Sequence, residues 1–288
     1  MLKDWIRLIR PADWLKNIFV FAPLFFASQL FQLHAFLIVL TGAILFSLTA
    51  SSIYILNDIK DRTEDRMHAV KCKRPIARGA ISPNAAAWFF VTLSIVSFVG
   101  AVMLSYTFFY VIITYYFINI AYCFYLKRIA IIDVYCIAAG FLLRVMGGAF
   151  LIHVTLSVWM LICTGLLALF LAFAKRRDDF ARHLDETHRK SISGYNVQFI
   201  DVAITMTLSA LFIAYTLYAT ESVSSIDLGT THFYWTVPLV LLGILRYLQI
   251  TLVHLTSGSP TTLLYQDKFL SIVVGLWIAM SALLIYCR

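Results

Sequence analysis

Apolar residues fall into nine long runs, near 17–34, 36–56, 85–104, 106–125, 131–152, 157–174, 197–220, 233–255 and 269–287. A helix needs about 20 largely apolar residues to cross the hydrocarbon core of a bilayer, so each run predicts one transmembrane helix. Two long polar stretches, 57–84 and 175–196, interrupt the series, and the other connections are short apart from 221–232 and 256–268. The long stretches follow the second and sixth runs, a spacing that suits a weak four-helix internal repeat. Ahead of the first run, MLKDWIRLIRPADWLK mixes charge with Trp5 and Trp14. It predicts an amphipathic helix at the membrane interface rather than a cleaved signal segment. No Gly/Ser linker divides the chain, so residues 1–288 are expected to form a single transmembrane domain with cytoplasmic catalytic loops near 57–84 and 175–196.

Composition narrows the class. Of 288 residues, 61% are hydrophobic and only 13% charged, about half the charged share of an ordinary soluble domain. A soluble globule and a nucleic-acid binder are both excluded, and the expectation is an all-α polytopic membrane protein in contact with membrane lipids. The net charge of +8 is placed on one side. With nine spans, twenty of the twenty-three Lys and Arg residues share one face, Arg288 lies opposite, and Arg144 and Arg246 fall inside spans. The positive-inside rule then makes the N-terminus and both long loops cytoplasmic and the C-terminus external, as in a bacterial inner (plasma) membrane. Cys72, Cys123, Cys136, Cys163 and Cys287 are odd in number and lack paired spacing, against a disulfide framework or a zinc site. His34, His68, His153, His183, His188, His232 and His254 form no HExxH or Ser–His–Asp order.

Chemistry first gathers where the second run ends, in Tyr54-Ile55-Leu56-Asn57-Asp58-Ile59-Lys60-Asp61-Arg62-Thr63-Glu64-Asp65. On a helix, Tyr54, Asn57, Asp58, Asp61 and Asp65 share an arc of about 100°. Three carboxylates and an amide oxygen on one face repel each other unless a cation lies among them. Such hard oxygens, with positions left open, suit Mg²⁺ bridging to a diphosphate. The basic cluster Lys71-Cys72-Lys73-Arg74 follows and suits the remaining phosphate charge. The plainer reading is a solvated loop with local pairs such as Asp58–Arg62.

Asn57-Asp58-x-x-Asp61-x-x-x-Asp65, followed by Arg74-Pro75-Ile76, resembles the first aspartate-rich motif of the UbiA superfamily of intramembrane prenyltransferases. The resemblance implies about nine transmembrane helices around a central cavity, and Mg²⁺-dependent handling of a diphosphate beside a polyprenyl chain. Further blocks are similar to the decaprenyl-phosphate phosphoribosyltransferase branch. They are Arg10-Pro11-x-x-Trp14-x-Lys16-Asn17, Lys127 with Asp133, Gly140-Phe141-x-Leu143-Arg144, Lys175-Arg176-Arg177 and Arg246-Tyr247. Prenyltransferases of the superfamily carry a second acidic motif at a later span. Here that loop opens Lys175-Arg176-Arg177-Asp178-Asp179 and continues through Arg182, Asp185, Glu186, Arg189 and Lys190, without clean DxxxD spacing. The departure suits one Mg-bound diphosphate plus further phosphates held by bases. Arg144, about 20 Å into its span, is an expensive intramembrane charge expected to turn inward, toward a phosphate or an ion pair.

The expected reaction is transfer of phosphoribosyl from phosphoribosyl diphosphate to a polyprenyl phosphate. Asp58, Asp61 and Asp65 form the catalytic acidic face, with Mg²⁺ on Asn57, Asp61 and Asp58. Lys16, Tyr54, Lys71 and Arg74 hold the donor, and Lys127, Arg144, Lys175 and Arg176 bind phosphates. Two alternatives remain open: a prenyltransferase alkylating an aromatic acceptor, and a transporter or flippase with a charged gate.

Overall fold

The computed structural model describes residues 2–67, 70–181, 194–221, 232–253, 263 and 266–287. His68, Arg182, His183, Asp185, Glu186, His188, Arg189, Lys190, His254 and Arg288 lie outside the described residues. The described chain is helical and free of strands, and eight of its helices are long and apolar enough to cross a membrane.

Two compact units divide the chain. The first comprises Met1–Phe25, Gln29–Leu126 and Leu143–Thr155; the second comprises Phe26–Ser28, Lys127–Leu142 and Leu156–Arg288. In the first, α1 (Leu2–Ile9) leads into a 3-10 run, Pro11–Phe21, and a short helix α2 (Ala22–Phe26). The long helix α3 (Leu33–Lys60) and the short α4 (Arg62–Met67) follow, then α5 (Pro83–Leu104) and α6 (Tyr106–Phe124). Helix α7 (Ile132–Leu151) gives its last turns to this unit. The second unit holds the start of α7, with α8 (Val158–Ala181), α9 (Val197–Thr220), α10 (Val237–Leu248) and α11 (Lys268–Tyr286).

Helix α3 is the spine of the first unit. Its apolar window is 61% buried against 17% for α5, so α3 faces protein while α5 turns Trp88, Ile95, Val99 and Met103 outward. Phe46, Val39 and Ala50 of α3 pack with Phe108, Ile112, Val20 and Leu24 in one apolar cluster. The polar residues of α3 bond back to their own helix, Ser47 Oγ donating to Ala43 O at 2.7 Å and Thr49 Oγ1 to Leu45 O at 2.9 Å. Such back-bonding satisfies a buried hydroxyl without another partner. Ser82 caps α5 through the Ala85 N–H, and Pro83 fills the position where no N–H is needed. In the second unit, Phe170, Phe173, Ile200, Ile204, Leu208 and Tyr247 form the core. Asn196 caps α9 and Asp267 caps α11.

The first predicted span is built differently from the other eight. Residues 17–34 are not one α-helix; Pro11 opens the 3-10 run, Pro23 lies in α2, and Ser28 is left-handed at φ 57°. Proline removes the N–H that a regular helix would use. Within the apolar run, residues 17–21 of the 3-10 helix and α2 together have a contour of about 18 Å, short of the roughly 30 Å of a hydrocarbon core.

Candidate functional site

The N-terminal segment meets α3 at a strained turn. Arg10, between α1 and the 3-10 run, is left-handed at φ 52°, a conformation that persists only where the surroundings hold it. Ser51 of α3 does the holding. Its Oγ donates to Ile9 O at 2.7 Å and accepts from Trp14 Nε1 at 3.0 Å, fastening the chain on both sides of Arg10. Two turns along the same face of α3, Asp58 Oδ1 accepts from Arg10 Nη2 at 2.5 Å and from Arg74 Nη1 at 3.0 Å. Arg74 Nη1 also donates to Asp65 Oδ2 at 2.6 Å. The Arg10 guanidinium lies 5.0 Å from the Tyr54 ring centroid, and Lys16 Nζ lies 6.0 Å from it. Burial works against the Lys16 charge, but the Tyr54 phenol and Asp13 outweigh it and raise the ammonium's pKa. Asp13 also accepts from Lys16 Nζ at 2.7 Å.

Asn57 and Asp61 lie along the neighbouring edge of the same helix end. The Asp61 N–H donates to Asn57 O at 2.8 Å and the Asp65 N–H to Asp61 O at 2.8 Å, so the helical path runs on through the acidic motif. Both residues are half-buried. Among the described residues no three His, Cys, Asp or Glu side chains form a preformed metal cage. The donor set nonetheless fits Mg²⁺, which takes one or two carboxylates together with substrate phosphates rather than an all-protein shell.

Deeper along α3 is a second polar layer. Arg144, only 4% exposed, donates from Nε to Asn17 Oδ1 at 2.7 Å and from Nη2 to the Tyr115 hydroxyl at 3.2 Å. Asn17 Nδ2 in turn donates to Ser47 Oγ at 2.7 Å. The guanidinium carbon is 5.1 Å from the Phe46 ring centroid and 4.9 Å from that of Tyr115, a stacked setting that suits arginine and not lysine. Ser47 precedes Asp58 by eleven residues, so this layer is about 16 Å along the helix axis from the acidic motif. The 3-10 run reaches it because Gly148 has no side chain; a Cβ there would sit 1.9 Å from Val20 O.

In the second unit, Asp133 at the start of α7 organises a closed network. Arg176 Nε donates to Asp133 Oδ2 at 2.8 Å, with both side chains fully enclosed. Tyr195 donates its hydroxyl proton to Asp133 Oδ1 at 2.6 Å and accepts from the Ile131 N–H at 2.5 Å. Burial and the bond to Asp133 push the Tyr195 pKa up, so its phenol stays a neutral donor. Arg177 Nε bonds Asp201 Oδ1 at 2.6 Å, joining α8 to α9. Arg246 pairs with Asp267 at 2.7 Å and lies 5.5 Å from the Phe269 ring.

Tyr54, Asp58, Asp65 and Arg74 therefore come together, with Asn57, Asp61 and Lys16 on the same stretch of chain. Arg144 turns inward as its intramembrane charge requires. Lys71 is half-buried in a 3-10 turn, Lys71–Lys73, of the same unit. Lys127, half-buried, Lys175, exposed, and Arg176 belong to the second unit. Arg176 has no exposed surface and pairs with Asp133 and Asp179. Asp58 pairs with Arg10 and Arg74 rather than locally with Arg62. Arg10, Ser51, Ser47, Asn17 and Tyr115 are the participants that sequence spacing did not assign. The block Arg10-Pro11-x-x-Trp14-x-Lys16-Asn17 held Arg10 and Asn17 without a role, and the hydroxyl-rich Thr49-Ala50-Ser51-Ser52 inside a membrane span was the signal for Ser51.

Known proteins extend this picture. The model of the UbiA prenyltransferase family matches residues 17–285. A decaprenyl-phosphate phosphoribosyltransferase of Mycobacterium tuberculosis is 29% identical over 282 residues, covering 95% of this chain and 91% of its own. One of Corynebacterium glutamicum is 30% identical over 289 residues, covering 98% and 86%. A UbiA homolog from Archaeoglobus fulgidus, solved bound to GPP and Mg2+, superposes with a TM-score of 0.73 at 19% identity, covering 98% of this chain and 99% of that one.

Proposed function

This chain belongs to the UbiA prenyltransferase family, and from that premise we propose that it transfers 5-phosphoribosyl from phosphoribosyl diphosphate to a polyprenyl phosphate, releasing diphosphate. The observation that carries the reading is full-length similarity to relatives named decaprenyl-phosphate phosphoribosyltransferase. The cation-rich acidic motif at the end of α3 supports it. The protein is an integral membrane protein; we place it in a bacterial inner membrane with the acidic motif on the cytoplasmic side, as the one-sided basic residues favour.

A phosphate oxygen of the polyprenyl phosphate attacks C1 of the ribosyl group. A new C1–O bond forms while the bond from C1 to the diphosphate oxygen breaks, and its electron pair leaves with the diphosphate. The attacking oxygen is already anionic, so no general base is needed, and catalysis rests on positioning and on stabilising departing charge. Lys16, Lys71 and Arg74 hold the donor, and Tyr54 supports Lys16 from beneath. Asn57 and Asp61 would hold Mg²⁺, whose charge would offset that of the diphosphate, while Asp65 pairs with Arg74. Arg144 steadies a phosphate at the deeper layer. Within the second unit, Lys127 and Lys175 are proposed as phosphate-binding residues, and Arg176 keeps α8 in place through Asp133.

Purified protein incubated with ribose-labelled phosphoribosyl diphosphate and a polyprenyl phosphate is expected to yield an acid-labile, lipid-soluble labelled product. Consumption of a prenyl diphosphate instead, with no label entering the lipid, would favour the prenyltransferase reading.

A further inference from the structure

The acidic motif divides its labour between two edges of one helix. Asn57 and Asp61 are four residues apart and nearly in line, whereas Asp58 shares its row with Ser51 and Tyr54, the residues that meet the N-terminal segment. Exposure runs against a metal role for Asp58. Its side chain is only 2% exposed, while the Arg10 and Arg74 side chains that cover it are 24% and 26% exposed. Two guanidinium groups converge on one carboxylate oxygen, Asp58 Oδ1. A guanidinium has five N–H donors, and Arg10 spends one nitrogen on Asp58. Arg74 spends one nitrogen on Asp58 and Asp65 together. The outer faces of both groups are thus left as a fork of donors, and such forks match phosphate geometry.

We propose that Asp58 is a positioning residue, not a metal ligand: it holds Arg10 and Arg74 as a paired receptor for the donor's diphosphate, while Asn57 and Asp61 take the cation. Arg10 touches the donor directly, and the Ser51 fastening keeps it in its left-handed turn so that it reaches Asp58. The proposal rests on the phosphoribosyl-transfer reading only for the identity of the donor; the anion role of Arg10 and Arg74 stands on their geometry around Asp58, and the metal role of Asn57 and Asp61 on the hard oxygens they offer.

Full-length protein in lipid nanodiscs separates the two roles. Mn²⁺ is titrated by electron paramagnetic resonance without any donor, and inorganic diphosphate binding is measured by calorimetry. Asp58→Asn is expected to leave Mn²⁺ affinity within about twofold and to weaken diphosphate about tenfold or more, the scale of a lost charge-assisted contact. Asp61→Asn is expected to lose Mn²⁺. Ser51→Ala, which leaves every acid in place, is expected to weaken diphosphate without touching Mn²⁺, and so serves if Asp58→Asn does not fold. In Arg10→Lys with Asp58→Asn, diphosphate binding is expected to fall no further than in the weaker single variant. Loss of Mn²⁺ in Asp58→Asn matching that in Asp61→Asn overturns the proposal, as does unchanged diphosphate binding in Ser51→Ala. A wild-type protein that binds both probes yet transfers no phosphoribosyl group defeats the functional reading instead, and leaves the assignment of Asp58 standing.

Discussion

Gly148→Ala tests whether the 3-10 run is held where the deeper polar layer needs it. The added Cβ would lie 1.9 Å from Val20 O and 2.9 Å from Val20 C. Both are backbone atoms, so no side chain can swing aside. Restoring even a close carbon–oxygen contact of about 3.3 Å requires a displacement of about 1.4 Å. The run that moves carries Lys16 and Asn17, and Asn17 holds Arg144 through a 2.7 Å bond. Overpacking of this kind costs about 1–3 kcal/mol, and a misplacement near 1 Å in positioning groups costs about 100-fold in rate. Gly275 provides the control, because nothing lies within 4 Å of a Cβ built there; alanine in that helix is expected to be neutral or stabilising by up to about 1 kcal/mol. The assay is labelled phosphoribosyl transfer in nanodiscs beside thermal unfolding of both variants. Wild-type turnover and an unchanged unfolding midpoint in Gly148→Ala would refute the close-approach argument.

Three further outcomes follow from the same geometry. Asp133→Asn leaves the enclosed Arg176 charge with only the longer 3.4 Å contact to Asp179, and breaking such a buried pair costs about 3–5 kcal/mol; the unfolding midpoint in detergent is expected to fall steeply, and the double change Asp133→Leu with Arg176→Met to recover most of it. Lys16 has its folded-state pKa raised above the ordinary 10.5, so its contribution to stability is complete below 10.5 and is lost only as pH rises through the higher folded value. The KM for phosphoribosyl diphosphate is therefore expected to show no Lys16 deprotonation step between pH of about 7 and about 9, and a step there that vanishes in Lys16→Arg would contradict the shift. Chelation by EDTA is expected to abolish turnover and added Mg²⁺ to restore it, whereas Asp61→Ala should remain unresponsive; full Mg²⁺-dependent turnover in Asp61→Ala would remove it from the metal site.

The sequence made the membrane-spanning helices legible because bilayer burial demands long unbroken apolar runs, and eight of the nine runs became such helices. The exception shows where that logic stops. Residues 17–34 are apolar enough, yet whether a run coils as α or 3-10 depended on Pro11, Pro23 and the distant Gly148, whose effect passes through space. Helix α3 extends to Lys60, beyond the apolar edge at residue 56, because polar side chains at a helix end can remain helical once they are paired. Arg144 was readable as an inward-facing residue, since a charge at that depth has few alternatives. Its partners were not, because Asn17 lies 127 positions away. The Arg176 partner was not readable for the same reason: beside Lys175 and Arg177 it reads as one base among several, whereas the carboxylate it bonds, Asp133, lies 43 positions earlier. Spacing along one helix also could not distinguish the edge carrying Asn57 and Asp61 from the edge carrying Asp58. Only the N-terminal segment packed against the second edge distinguishes them.

In the proposed reaction the donor is a ribosyl diphosphate and the isoprenoid is the acceptor. A single reaction containing the purified protein, Mg²⁺, phosphoribosyl diphosphate, a prenyl diphosphate, a polyprenyl phosphate and an aromatic acceptor, followed by phosphorus NMR, puts both roles in competition. The expected result is loss of the phosphoribosyl diphosphate signals, stoichiometric appearance of free diphosphate, and conversion of the polyprenyl phosphate monoester into a phosphodiester. Loss of the prenyl diphosphate signals, with phosphoribosyl diphosphate and polyprenyl phosphate unchanged, would contradict it.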